Sequence, residues 1–402
     1  MRNNALTILI VCAFVAVCFN IALFNIQAFK SIQTAINPNQ SVNLTNICEI
    51  LPYEECSSSA KAMCLLEKNS GRILYGKNID EKLAMASTTK IFTALTVLNN
   101  CNNLDEKVNI DDRAVGIEGT SIYLRKGEVL TVKELLFGMM LPSGNDAATA
   151  LAYHIGGEID KFCLLMQETA LNAGAKNSSF KNPHGLDEEG HYTTAYDLAK
   201  VSAEALKNET FREIVGTKFT TISGNDEVET RFLRNKNKLL SAFDGTTGVK
   251  TGFTDNAGRC FVSSAERNNM EVVCAVLNCG PMFEECANLM QRAFNQYKLY
   301  ELLPAYNIVD NIPVEKGKMT EVKVYSRKSF CFPLTTDEFL QITYDYEKPQ
   351  TLKAPVKKEQ IVGFVKIYLG EQILFQDDLI TTDEIKSNSI FQNVKDIFGK
   401  WR

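Results

Sequence analysis

Three short strings in this chain carry side chains that could break an amide bond together. Ser87-Thr88-Thr89-Lys90 sets a hydroxyl and an amine three residues apart, so on a helix they share one face. A serine hydroxyl is a poor nucleophile until a base removes its proton, and a lysine stripped of water can serve as that base. Ser143-Gly144-Asn145 follows Pro142 and offers a second hydroxyl and an amide from a tight turn. Lys250-Thr251-Gly252 lies between Val249 and Phe253, a strand-like setting. Its cation and hydroxyl suit a terminal carboxylate, and its glycine lets another backbone, such as a substrate's, come close.

Two of the strings have competitors, and context separates them. Ser58-Ser59-Ala60-Lys61 repeats the first pattern in a polar stretch, where Lys61 stays hydrated and protonated. Lys90 instead opens the most apolar helix of the chain, IFTALTVL, where full burial can lower a lysine pKa by up to ~3–5 units. The start of that helix also favours negative charge developing at Ser87. The tetrapeptide Ser-Gly-Asn-Asp occurs at Ser143–Asp146, between two apolar helices, and again at Ser223–Asp226. The second copy separates the alternating runs KFTTI and EVETRF, which is hairpin-turn chemistry.

The elements that must position these groups can be read from periodicity. Ala62 to Leu66 and Arg72 to Tyr75 predict a hairpin. Helices are expected at Thr89–Leu98, Val132–Met140, Ala147–Ile155, Ile159–Ala173 and Ala195–Leu206. Strands return at Lys218–Ile222, Glu227–Phe232, Gly248–Phe253, Arg259–Ser264 and Val272–Asn278. An amphipathic helix from Glu284 to Tyr300 closes the region. Strands from both ends with helices between them predict one α/β domain over 62–302. Beyond Pro304 the period is two, so 303–382 reads as a small all-β domain.

The ends differ from this body. Arg2 precedes an apolar run from Ala5 to Phe19, and no acid appears before Glu49, which marks 1–29 as a signal peptide or anchor. Residues 30–61 read as a polar tether. The tail 387–402 places Ile390, Phe391, Val394, Ile397, Phe398 and Trp401 on one helical face with Lys395, Lys400 and Arg402, a pattern that suits a helix lying in a membrane interface. These features predict an exported chain held at the outer face of the cytoplasmic membrane. A net charge of −5 and the lack of a long basic run argue against nucleic acid. Three His and no C-x-x-C pair argue against zinc. Cys48 with Cys56, or Cys279 with Cys286, could bridge.

The motif contexts MASTTKIFTALTVL, LPSGNDAATALA, RNKNKLL and GVKTGFTDNAGRCFVSSA resemble the low-molecular-weight penicillin-binding proteins that are serine D-alanyl-D-alanine carboxypeptidases. The layout of leader, peptidase domain, β domain and terminal helix is similar too. The resemblance implies a transpeptidase/β-lactamase-like fold, an antiparallel sheet with helices plus a helical subdomain. It implies that Ser87 attacks the bond between two terminal D-alanines of a peptidoglycan stem peptide and that Lys90 takes its proton. Ser143 would relay a proton to the leaving amine, and Asn145 would hold Lys90 and the peptide. Lys250 and Thr251 would bind the terminal carboxylate, with Gly252 and Phe253 on the same strand. The N–H groups of Ser87 and Phe253 would form the oxyanion hole. β-Lactams would acylate Ser87, and no cofactor or metal is implied. A DD-endopeptidase or transpeptidase would use the same residues, and so would a penicillin-binding sensor with little turnover. A class A β-lactamase needs a further glutamate. Glu168-x-x-Leu171-Asn172 matches its pattern, but continues the helical period of its surroundings and reads as a decoy. His184 and His191 read as structural loop residues.

Overall fold

Alternation along the strands decides how the first part of the chain packs. In the computed structural model, which describes residues 51–223 and 230–388, Ala62, Cys64 and Leu66 enter one core while Met63 and Leu65 enter another. Val273, Ala275 and Leu277 divide from Val272, Cys274 and Val276 in the same way. A sheet covered on both faces must read as an unbroken apolar run, and these strands do. The leader, the tether up to residue 50, the second Ser-Gly-Asn-Asp beyond Ser223 and the terminal helix from 389 onward lie outside the described residues.

The elements are β1 (Glu54–Glu55), β2 (Ala62–Glu67), β3 (Ile73–Lys77), α1 (Thr89–Asn100), β4 (Lys107–Asn109), β5 (Val129–Thr131), α2 (Val132–Met140), α3 (Asn145–Gly156) and α4 (Ile159–Asn172). There follow α5 (Ala195–Ala205), α6 (Glu209–Gly216), β6 (Phe219–Ile222), β7 (Arg231–Arg234), α7 (Leu239–Ala242), β8 (Thr246–Thr254), β9 (Gly258–Arg267), β10 (Met270–Leu277) and α8 (Met282–Gln296). The main sheet runs β1-β3-β2-β10-β9-β8, with β2 and β10 antiparallel at its centre, so the two ends of the region meet there. β8 is an edge strand. One face carries α1 to α6, and the other carries α8 through Cys286, Leu289, Met290 and Ala293. β6 and β7 pair antiparallel from Phe219↔Arg234 to Ile222↔Arg231, so the second Ser-Gly-Asn-Asp falls between two antiparallel strands.

Two expectations need correction. Residues 51–61, expected in the tether, join the fold: Leu51 and Cys56 are buried, and β1 pairs parallel with β3. Two-residue strands leave no period to read. α8 ends at Gln296, and the following residues form β11 (Lys298–Leu303), which pairs with β14 (Phe330–Leu334). The expected boundary at 302 therefore cuts a strand. Of the two pairings the sequence leaves open, Cys279–Cys286 is not formed, because both are buried free thiols, as is Cys56; Cys48 lies outside the described residues.

The β part comprises β11, β12 (Ile308–Glu315), β13 (Glu321–Tyr325), β14, the short helix α9 (Thr336–Phe339), β15 (Ile342–Glu347), β16 (Leu352–Lys353), β17 (Ile361–Leu369) and β18 (Gln372–Thr381). Its main sheet runs β15-β17-β18-β13-β12-β16 around Ile312, Val322, Val324, Val365 and Ile367. One buried side chain ties it to the first domain. Arg72 donates to the Pro333 carbonyl at 2.5 Å, pairs with Glu338, and lies 5.3 and 5.4 Å from the ring centres of Tyr297 and Phe332. Among the described residues no helix is long and apolar enough to cross a membrane.

Candidate active site

Ser87 sits in a single 3-10 turn, Ala86–Thr88, that runs straight into α1. Ala86 adopts φ 47°, a left-handed conformation costly for a residue with a Cβ. Neighbours over-determine that turn. Thr89 Oγ1 bonds the Ala86 carbonyl at 2.8 Å and His191 Nε2 at 2.9 Å. His191 Nδ1 accepts the Lys181 N–H, so the proton lies on Nε2 and points at Thr89. Burial pushes the His191 pKa down to about 4, which keeps the ring neutral in this role. The loop behind the turn comes closer still. At Gly185, φ 92°, a Cβ would fall 1.9 Å from the Ala86 carbonyl oxygen.

Lys90 is the second residue of α1, one turn beyond Ser87, and is fully buried. Its Nζ is 3.0 Å from Ser87 Oγ, 2.6 Å from Asn145 Oδ1 and 2.7 Å from the His184 carbonyl. Burial holds its pKa well below the ordinary lysine value, and the charges of Lys250 and Lys236 lower it further, while Asp146 opposes them. The side chain thus has hydrogen-bonding partners yet is electrostatically biased toward the neutral amine.

The capping box of Thr131 and Glu134 starts α2, which delivers the chain to the turn before α3. Ser143 in that turn has φ 77°. Its hydroxyl is buried and meets no hydrogen-bonding group among the described residues. A strained backbone with an unpaired polar atom is what a functional position looks like. Asn145 is held from three sides: its N–H by the Thr120 carbonyl at 2.7 Å, its Nδ2 by the Glu118 carbonyl at 2.6 Å, its Oδ1 by Lys90. The loop supplying those carbonyls is organised by Asp146, whose carboxylate accepts from Ser121 Oγ at 2.6 Å and from the N–H groups of Ile122 and Leu124 at 3.0 Å.

Lys250 and Thr251 lie on the edge strand β8. Lys250 is buried, donates to the Thr251 carbonyl at 3.0 Å, and is driven down to about 7 by burial and by Lys236. The glycine of this motif has a different use from the one expected. A Cβ at Gly252 would lie 2.9 Å from the Ser87 nitrogen and 3.0 Å from that of Thr88. The backbone that approaches it is that of Ser87 and Thr88. Ser87, Ser143, Thr251, Gly252 and Phe253 line one cleft of about 740 Å³, with Lys90, Asn145 and Lys250 packed behind it. All eight expected residues therefore converge.

The decoys fall elsewhere. Lys61 is half exposed and pairs with Glu81 at 2.9 Å. Glu168 points to solvent from α4. Three contributors were missed. Lys236 lies in RNKNKLL, where no spacing rule singles it out. The His184 carbonyl is a backbone group, invisible to residue type. Asp146 completes the Ser-Gly-Asn-Asp string, but its partners at 121–124 are distant in sequence.

A serine hydroxyl beside a desolvated amine, an amide, a spare hydroxyl and a cationic edge strand is equipped for acyl transfer. Residues 51–280 match the family model described as D-alanyl-D-alanine carboxypeptidase, and 297–387 match that of the penicillin-binding protein 5 C-terminal domain. The chain is 32% identical over 355 residues to D-alanyl-D-alanine carboxypeptidase DacF of Bacillus subtilis, covering 86% of this chain and 91% of that protein. The crystal structure of penicillin binding protein 5 from Haemophilus influenzae superposes with a TM-score of 0.69 at 26% identity, over 84% of this chain and all of that one. The DD-transpeptidase of Streptomyces K15 superposes with a TM-score of 0.57 at 33% identity, over 60% of this chain and 99% of that one.

Proposed function

Because the chain belongs to the D-alanyl-D-alanine carboxypeptidase family of serine peptidases, we propose that Ser87 is its nucleophile and that it removes the terminal D-alanine from peptidoglycan stem peptides. The observation that carries this reading is the 3.0 Å approach of a fully buried Lys90 amine to Ser87 Oγ. In the neutral amine two hydrogens serve Asn145 Oδ1 and the His184 carbonyl, and the lone pair faces the Ser87 hydroxyl. Ser87 Oγ attacks the carbonyl carbon between the last two D-alanines as Lys90 takes its proton.

The carbonyl oxygen becomes an oxyanion received by the N–H groups of Ser87 and Phe253, a term worth ~2.7–4 kcal/mol per donor in comparable enzymes. Ser143, whose hydroxyl has no protein partner among the described residues, passes the proton to the departing D-alanine nitrogen as the C–N bond breaks. Lys250, Thr251 and Lys236 hold the terminal carboxylate. That anion raises the Lys250 pKa and so keeps it charged while substrate is bound. Water, deprotonated by Lys90, then cleaves the ester and frees the shortened peptide. β-Lactams acylate the same hydroxyl. This chemistry requires no cofactor or metal.

The reading extends to place. The N-terminal apolar run exports the chain, so it acts outside the cytoplasm, and the amphipathic 387–402 sequence holds it at the outer face of the cytoplasmic membrane. Deleting 387–402 should release a leader-cleaved form from membranes; continued attachment of that form would refute the anchor.

Fluorescent penicillin should label the wild type at one residue and leave Ser87→Ala unlabelled. Labelling of Ser87→Ala would overturn the site. Incubation with a pentapeptide and mass analysis of the products tests the reaction, with one D-alanine released per shortened peptide expected. Labelling without release would mean a penicillin-binding sensor, and cross-linked product a transpeptidase.

A further inference from the structure

The cleft holds more positive charge than one terminal carboxylate requires. Arg234, Lys236, Lys238 and Arg259 line it and, among the described residues, no Asp or Glu does, in a chain whose net charge is −5. A single-sign cleft with apolar walls focuses its field on the ligand that enters. Arg259 and Lys238 stand apart from the catalytic groups. The Arg259 guanidinium lies 5.7 Å from the Phe253 ring centre, and the Lys238 ammonium 5.6 Å from that of Phe283. Those contacts set each charged end over a ring that itself lines the cleft, so both cations border the space a ligand enters. Phe253 itself is 59% exposed, a large apolar surface that, beside its Arg259 contact, still faces solvent.

Register gives the spacing. Phe253 pairs with Arg259 across β8 and β9, three residues beyond Lys250. Strand rise makes that about 10 Å. An extended peptide advances ~3.3–3.6 Å per residue. A peptide with its terminal carboxylate at Lys250, lying along β8, therefore brings its third or fourth residue from the end to Arg259.

Resting on the carboxypeptidase reading above, we propose that Arg259 and Lys238 form a second anion subsite, which selects peptides carrying a carboxylate on the third or fourth residue from the C-terminus. Phe253, Met282 and Phe283 receive the aliphatic part of that residue. The enzyme's substrate class is then a peptide with two carboxylates, one at each end of the cleft.

The test uses the full chain and matched acetylated peptides ending in X-D-Ala-D-Ala or X-Gly-D-Ala-D-Ala, with X either Glu or Gln. Release of D-alanine gives kcat/KM for each. At low salt the Glu peptide of at least one pair should exceed its Gln twin by about five- to tenfold, as expected for two exposed charge contacts. The preference should fade at about 0.5 M salt, where screening is short-ranged. In Arg259→Gln/Lys238→Gln the twins should come within about twofold of each other. Equal rates for the twins in the wild type at both positions would overturn the subsite, as would a preference that survives the double substitution. Penicillin labelling separates the two levels. If Ser87 labels and the twins are cut equally, only the subsite falls. If no peptide is cut and Ser87 does not label, the carboxypeptidase reading falls and the subsite with it.

Discussion

Gly252→Ala tests whether the edge strand and the nucleophile turn must touch. The new Cβ would lie 2.9 Å from the Ser87 nitrogen and 3.0 Å from the Thr88 nitrogen, where ordinary contact begins at 3.4 Å. Both neighbours are backbone, so the strand and turn must part by about 0.5 Å. That is the whole positional tolerance of a catalytic constellation, and a 1 Å misplacement costs about 100-fold. The acylation rate constant with penicillin should therefore fall about 10- to 100-fold. Overpacking should also cost about 1–3 kcal/mol of stability. Stopped-flow acylation and thermal melting read the two effects separately. Gly280→Ala is the control, because nothing lies within 4 Å of a Cβ there. The identity of the probe also matters. If the glycine makes room for substrate, the loss should grow with the bulk of the penicillin; if it seats the turn, slim and bulky penicillins should lose alike. A folded Gly252→Ala that acylates within about twofold of wild type would refute the argument.

Two substitutions should move the pH profile in opposite directions. kcat/KM needs Lys90 neutral and Lys250 charged, so activity falls on the acid side through the lowered Lys90 pKa and on the alkaline side through that of Lys250, about 7 in the free enzyme. Lys236 lowers both, so Lys236→Gln should raise both limbs; a bell that stays in place would sink the coupling. Asp146 raises the Lys90 pKa, so Asp146→Asn should move the acid limb lower, at a stability cost of about 1–3 kcal/mol from the donors at 121–124 that lose an acceptor. An unmoved acid limb in the folded variant would show that Asp146 acts on the loop alone. Arg72→Ala leaves Glu338 without its partner and should cost about 3–5 kcal/mol by thermal melting, with penicillin acylation unchanged. A melt within 1 kcal/mol of wild type would refute the tie between the two parts.

Much of this protein was determined by local pattern. The spacing of Ser87 and Lys90 and the apolar surroundings of α1 already implied a desolvated amine beside a hydroxyl. Pro142 between two buried helices was enough to prefer Ser143 over Ser223. Unbroken apolar runs located the central strands of the first sheet, which is covered on both faces, and period-two runs located those of the second. Groups whose role depends on long-range closure were not legible. Lys236 matters because the segment after β7 brings its charge within range of Lys90 and Lys250, and nothing in RNKNKLL says so. The His184 carbonyl reaches Lys90 only because Gly185 lets its loop sit on the Ala86 turn. The glycine of Lys250-Thr251-Gly252 was correctly read as a site of close approach, but only the packed sheet decides that Ser87 is what approaches. Sequence carries the chemistry of each group and its local conformation; distances between residues 87, 143, 236 and 250 exist only once the sheet has closed, because each pair is brought together by contacts that neither segment makes alone.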